Sequence, residues 1–289
     1  MKIKKTVPYF CTVKPLARFV DFLLKTSLFT ACCATALCMA TGCLINGSRT
    51  SIFNQLHVLV FGSTLLVYNA PRLIPRPYGR QRPPQKLKPW YRFFFFAGMA
   101  MTVYGLWGLS LQMLLTNGAL GLLAFAYYLP LLPFKNKKRI RDIGWLKISV
   151  LAVVWTTATA VLPIIYWDKL LVNYPVEILI RFVFIFMLCV LFEIRDVRDD
   201  IRNNIHTLPH KVGVGNSYRL INTGLVIFCL LSILQYSRFP IPQRLVGALL
   251  TAIVTWGVVQ YIRRYPSERA YLVLADGVML VYALLVILI

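Results

Sequence analysis

Apolar residues run along this chain in nine long blocks, separated by short segments rich in Lys, Arg and Pro. The blocks cover approximately residues 26–45, 52–71, 93–115, 117–133, 144–166, 176–194, 220–237, 245–262 and 270–289. A helix that crosses a bilayer needs roughly 20 mostly apolar residues, so each block predicts a transmembrane helix. The fourth block is short and bounded by Pro. Dropping it would put the two polar loops that carry the candidate chemistry on opposite sides, against the charge distribution. The first block starts too late and runs too long for a cleaved signal peptide, and eight more follow it. Ala40-Thr41-Gly42-Cys43 only weakly resembles a lipoprotein cleavage site. The expected fold class is an all-α membrane protein with nine transmembrane helices, forming a single polytopic domain over 1–289.

Composition sharpens this picture. The 289 residues are 58% hydrophobic and 15% charged, with a mean hydropathy of +0.66. A soluble domain is about half apolar and about a quarter charged. An ordinary cytosolic enzyme, a disordered chain and a collagen-like fibre are thereby excluded. The net charge is +22. Its basic residues lie between apolar blocks, which points to a bilayer with basic cytoplasmic loops and away from nucleic acid. Of the 32 Lys and Arg, 25 fall in segments 1–19, 72–92, 135–141, 195–219 and 263–269. The alternate segments carry only Arg49, Lys169, Arg238 and Arg244. This asymmetry predicts a cytoplasmic N-terminus and an odd number of spans, with cytoplasmic loops at 72–92, 135–143 and 195–219. With no organellar targeting segment recognised, the expected location is the bacterial inner membrane.

The seven Cys form no Cys-x-x-Cys pair and lie mostly in apolar blocks, where a thiol acts as a small hydrophobe. His57, His206 and His210 do not combine with them into a ligand pattern. No glycine-rich phosphate loop, Gly-x-Ser-x-Gly or internal repeat is seen.

The informative stretch is Phe192-Glu193-Ile194-Arg195-Asp196-Val197-Arg198-Asp199-Asp200-Ile201-Arg202, at the cytoplasmic end of the sixth block. It holds four of the ten acidic residues. At about 100° per helical residue, Glu193, Asp196 and Asp200 fall within about 60° of each other. Arg195, Arg198 and Arg202 cluster near the opposite side. Asp199 has Arg195 and Arg202 at helical neighbour spacing, but the other three acids have no basic residue three or four positions away. Something outside the helix must compensate them. Paired carboxylates suit a hard divalent cation, and Mg²⁺ is typically held by one or two carboxylates plus substrate phosphates. The alternative is a Lys or Arg from another helix.

The same stretch, continued through Thr207-Leu208-Pro209-His210-Lys211-Val212-Gly213, resembles the second aspartate-rich motif of the UbiA-type intramembrane prenyltransferases. Asp196 and Asp200 match its Asp pair, and Ile205, Thr207, Leu208, Pro209 and Gly213 match its tail. Tyr127-Tyr128-Leu129-Pro130 leading to Lys135-Asn136-Lys137-Lys138-Arg139 is similar to the family's Tyr-Pro and Lys-Arg loop. The resemblance implies helices arranged around a central cavity, with Mg²⁺ on Asp196 and Asp200 and Glu193 as a third or water-mediated ligand. It also implies a prenyl diphosphate donor and a lipophilic, aromatic acceptor. Asn69, Arg72, Arg76, Arg82, Lys135 and Lys138 would hold the diphosphate. Tyr128 would face the cavity and stabilise a carbocation.

The chain departs from the family at the first aspartate-rich motif. Tyr68-Asn69-Ala70-Pro71-Arg72-Leu73-Ile74-Pro75-Arg76-Pro77 keeps Asn69, but Ala70, Leu73 and Pro77 stand where the family has aspartates. Arg80-Gln81-Arg82-Pro83 still resembles the family's Arg-x-x-Arg-Pro. Arg is permanently charged and grips phosphate with two donors, so Arg72 and Arg76 are candidates for direct contact with the diphosphate. The rival reading is a non-catalytic UbiA-like protein that binds a lipid or partner protein. A transporter lacks support without repeats or paired broken helices, and the Asp-Gly-x-x-Ala-Arg signature of CDP-alcohol synthases is absent. Three ionisable residues lie in or beside apolar blocks. Lys147 and Arg181 are expected to snorkel to the surface. Asp276 is expected to pair with a polar group inside the bundle.

Overall fold

The computed structural model describes residues 14–46, 53–73, 89–128, 144–202 and 207–288. Among these every regular element is helical, and no strand occurs. In chain order they are α1 Lys14–Lys25, α2 Leu28–Asn46, α3 Gln55–Leu73, α4 Pro89–Leu106, α5 Leu111–Tyr128, α6 Gly144–Thr156, α7 Leu162–Tyr166, α8 Pro175–Arg202, α9 Leu208–Val212, α10 Val214–Arg238, α11 Pro242–Arg264 and α12 Asp276–Leu288. A π-helical turn at Thr157–Val161 joins α6 to α7, and another at Ala270–Ala275 leads into α12. Each of the nine apolar blocks overlaps a helix among the described residues. Six helical stretches are long and apolar enough to cross a membrane: Leu28–Asn46, Gly144–Tyr166, Pro175–Arg198, Val214–Arg238, Pro242–Arg264 and Ala270–Leu288.

Several boundaries differ from expectation, and two of them have a visible cause. The predicted third span, 93–115, ends at Leu106, and the next helix starts at Leu111. Gly108 turns the chain between them with φ +71°, and the Met113 amide donates to Ser110 Oγ at 3.4 Å. A left-handed Gly followed by a Ser cap is a helix stop and start that unbroken apolarity conceals. At the other boundary α8 passes the predicted end at 194 and continues to Arg202, because its last two turns are amphipathic. The basic, amphipathic α1 was not anticipated; a turn with Ser27 at φ +63° joins it to α2.

Packing follows from small residues. A Cβ on Gly62 would lie 2.6 Å from Met101 Cβ, one on Gly98 2.8 Å from the Gly62 carbonyl oxygen, and one on Gly105 2.6 Å from Leu59 Cβ. α3 and α4 therefore meet backbone to backbone, as membrane helices do where small residues line the seam. α8 runs through the interior, with Phe184, Ile185, Leu188, Val190 and Leu191 buried against α6 and α10. α12 packs between α2 and α11. Cys33, Cys38 and Cys189 are buried free thiols, as the hydrophobic reading of the cysteines expects.

Candidate functional site

The 28 residues of α8 span about 42 Å at 1.5 Å per residue, more than the roughly 30 Å hydrocarbon core. Its C-terminal turns therefore reach the membrane edge, carrying Glu193, Asp196 and Asp200. Glu193 and Asp200 are buried, whereas Asp196 is half-buried. The helical register thus brings two carboxylates inward, and α6 meets them with Lys147 in its first turns. Lys147 Nζ lies 2.5 Å from Glu193 Oε1 and 3.5 Å from Asp200 Oδ2. Glu193 Oε2 is buried and has no hydrogen-bond partner among the described residues.

Asp196 takes a different course. Arg195 Nε donates to its Oδ1 at 2.7 Å, and Arg195 Nη2 to its Oδ2 at 3.0 Å. Residues one apart on a helix do not face each other. The long Arg side chain closes the pair nonetheless, so the expectation of no local basic partner for Asp196 is overturned. The three carboxylates do not form one cluster, and among the described residues no group of three His, Cys, Asp or Glu could hold a metal ion. What is brought together among the described residues is the pair Glu193 and Asp200, both against Lys147. Two neighbouring carboxylates are hard oxygen donors of the kind that hold Mg²⁺ together with substrate phosphates.

Asn69 is fully buried on α3. Its Nδ2 donates to the carbonyls of Thr26 at 3.1 Å and Leu65 at 2.9 Å, and its Oδ1 accepts from Arg72 Nη1 at 3.2 Å. Arg72 also donates to the Lys25 carbonyl and to Ser27 Oγ at 3.3 Å, and its guanidinium lies 4.7 Å from the Tyr91 ring centroid. Both residues thus clamp the α1–α2 turn to the end of α3. Tyr128 is the last residue of α5. Arg76, Arg82, Lys135 and Lys138 lie outside the described residues.

The tail of the motif has a backbone rationale. Gly213 ends α9 and opens α10 with φ +86° and ψ 148°, a conformation essentially restricted to Gly. Thr207 precedes α9 and is fully buried, with Pro209 at the helix start.

The snorkelling expectations fail for both basic residues. Lys147 turns to the α8 carboxylates. Arg181 is fully buried: it lies 3.5 Å from Glu177 Oε1, donates to Thr41 Oγ1 at 3.0 Å and covers the Tyr282 ring at 4.8 Å. Glu177 sits one helical turn before Arg181, a spacing visible in the sequence. Asp276 accepts a hydrogen bond from Thr30 Oγ1 at 3.3 Å, the interior polar partner anticipated for it. The residues missed by sequence reasoning are thus Lys147 and Arg195. The missing counter-charge of the Asp-rich face and an unexplained Lys in a neighbouring apolar block were one signal, not two.

An all-helical membrane protein with an aspartate-rich helix end facing a basic side chain of a second helix defines a narrow class. No protein-family model and no curated protein matches the chain. Among solved structures it is similar to a UbiA homolog from Archaeoglobus fulgidus bound to GPP and Mg²⁺. The TM-score is 0.60 at 10% identity, over 93% of this chain and 100% of the other. The fold is UbiA-like.

Proposed function

We propose that this chain is an integral membrane prenyltransferase, moving an isoprenyl group from a prenyl diphosphate to a lipophilic, aromatic acceptor. The observation that carries the reading is the convergence of Glu193 and Asp200, in a UbiA-like fold, on one cationic position at the end of α8. In this reading α3, α4 and α5 also cross the bilayer. That gives nine spans around a central cavity, with the N-terminus and the motif loops on the cytoplasmic side of a bacterial inner membrane. The charge asymmetry supports that orientation.

The reaction breaks the allylic C–O bond of the donor, leaving a carbocation and diphosphate. The acceptor supplies an electron pair to the cation and then loses a proton. The barrier falls when charge developing on the departing diphosphate meets preorganised positive charge. Arg72, Arg76, Arg82, Lys135 and Lys138 surround that position in this reading, with Asn69 fixing the turn that presents Arg72. Glu193 and Asp200, with Asp196 through water, would hold Mg²⁺, which supplies charge neutralisation to the phosphate oxygens. Tyr128 would offer its ring to the carbocation, and the apolar interior keeps water from it.

Purified protein in lipid nanodiscs, given labelled farnesyl diphosphate and Mg²⁺ with a panel of aromatic acceptors, tests the reading. Diphosphate release and a prenylated product are expected from the wild type. A fall of about 100-fold or more is expected in Asp196→Asn and Asp200→Asn. Tight donor binding without release in any combination favours the second reading, a non-catalytic UbiA-like protein that binds a lipid or a partner protein. That reading draws on the capture of all three carboxylates by Lys147 and Arg195 and on Ala70, Leu73 and Pro77 at the first motif.

A further inference from the structure

At the end of the bundle away from Glu193 and Asp200, a polar cleft opens where α2, α10 and α12 end and α8 and α11 begin. We propose that this cleft binds the headgroup of an anionic, hydroxyl-bearing phospholipid, with Arg244 on the phosphate and Glu177 on a headgroup hydroxyl. The cleft shares no residue with the proposed transferase site and does not rest on that reading.

Arg244 lies in the first turn of α11, half-buried, and lines the cleft. Among the described residues its guanidinium makes no hydrogen bond and no ion pair. It is also one of only four basic residues in the segments poor in positive charge, so the general enrichment of basic residues in cytoplasmic loops does not account for it. Glu177 lines the same cleft from the start of α8. Its side chain is 5% exposed, and its Oε1 has Arg181 Nη2 at 3.5 Å but accepts no hydrogen bond. Arg181 matches the Glu177 charge, which leaves the positive charge of Arg244 over at the cleft. The planar fork of an Arg suits two oxygens of one phosphate. A buried carboxylate oxygen without a hydrogen bond calls for a donor.

These two demands select the ligand. A phosphodiester answers Arg244 and brings the single negative charge that the cleft lacks. A hydroxyl on the same headgroup can donate to Glu177 Oε1. An ammonium in its place would meet Arg181 and Arg244 as like charges, so an ethanolamine or choline headgroup fits less well. Ser232, Gln235 and Tyr236 add polar groups to the wall, while Leu44, Ile180 and Val286 offer apolar surface to the start of an acyl chain. The position fits a lipid source. The helices that form the cleft are long and apolar enough to cross a membrane, and the cleft lies at their ends, where headgroups sit. A lipid held there would tie the start of α8 to α10 and α11.

Native mass spectrometry of the delipidated chain in detergent, with phosphatidylglycerol added stepwise, reads the binding. The wild type should take up one phosphatidylglycerol at least about tenfold more tightly than Arg244→Gln. Arg238→Gln removes an exposed basic residue at the same end of the bundle but outside the cleft, and should bind like the wild type. Phosphatidylethanolamine and phosphatidylmethanol lack the net charge and the hydroxyl in turn, and both should bind the wild type more weakly. Equal phosphatidylglycerol affinity in wild type and Arg244→Gln overturns the proposal, as does an equal loss in Arg238→Gln. Either control lipid bound as tightly as phosphatidylglycerol overturns it too. So does displacement of the lipid by an equal concentration of glycerol 3-phosphate, since the ligand would then be a free phosphate ester. Where Arg244→Gln does not fold, a photoactivatable phosphatidylglycerol on the wild type decides. Label within residues 232–248 supports the cleft, and label absent from them overturns it.

Discussion

α8 carries two charged clusters, one near each end, and they are built on opposite plans. Near its start, Glu177 and Arg181 sit one turn apart on the same helix and are sealed in the bundle, Arg181 with no exposure at all. Near its end, Glu193 and Asp200 meet Lys147 of α6, and Asp196 meets Arg195. The first cluster pairs one acid with one base on the same helix, and Thr41 of α2 and Tyr282 of α12 serve the guanidinium. The second takes its Lys from another helix and is partly exposed at Asp196 and Arg195. A balanced buried pair holds helices in place. The partly exposed acidic helix end is the one that takes metal and diphosphate in the reading proposed above.

Neutralising mutations separate the two most sharply. Asp200→Asn is expected to cut diphosphate release by about 100-fold or more while leaving the thermal midpoint near that of wild type. Arg181→Met should do the reverse. It leaves Glu177 buried without its partner, at a cost of about 3–5 kcal/mol measured by thermal unfolding in detergent. The double variant Glu177→Gln/Arg181→Met should regain much of that loss, because both charges go together. A large loss of turnover in Arg181→Met with unchanged stability would erase the contrast.

Smaller effects sharpen the frame around both clusters. Gly62→Leu drives a side chain into Met101 across the α3–α4 seam and should cost about 1–3 kcal/mol. Gly213→Ala places a Cβ at φ +86°, and should cost about 1–3 kcal/mol while displacing the tail of the motif. Asp276→Asn keeps an acceptor for Thr30, so its effect should stay within about 1 kcal/mol of wild type.

Much of the frame was legible because lipid leaves few choices. A backbone in hydrocarbon must satisfy its own hydrogen bonds, so helix dominates the described residues of every apolar block. What apolarity could not mark was the break at Gly108, since Trp107 and Leu109 are as apolar as their neighbours. The acidic face at Glu193, Asp196 and Asp200 was legible from helical spacing, as was its need for an outside charge. The supplier was not. Lys147 lies 46 residues before Glu193 in the chain, and only the packing of α6 on α8 joins them. Arg195 escaped because a long side chain can fold onto its neighbour, which spacing rules do not count. Arg181 is buried rather than snorkelling because Glu177, four positions earlier on the same helix face, pairs with it.

The central claim is that the end of α8 is a cation-assisted diphosphate site. Calorimetric titration of farnesyl diphosphate into nanodisc-embedded protein, with and without Mg²⁺, tests it most directly. Binding that strengthens with Mg²⁺ in the wild type and loses that dependence in Asp196→Asn/Asp200→Asn is the expected result. Binding of equal strength in both proteins, indifferent to Mg²⁺, contradicts the account.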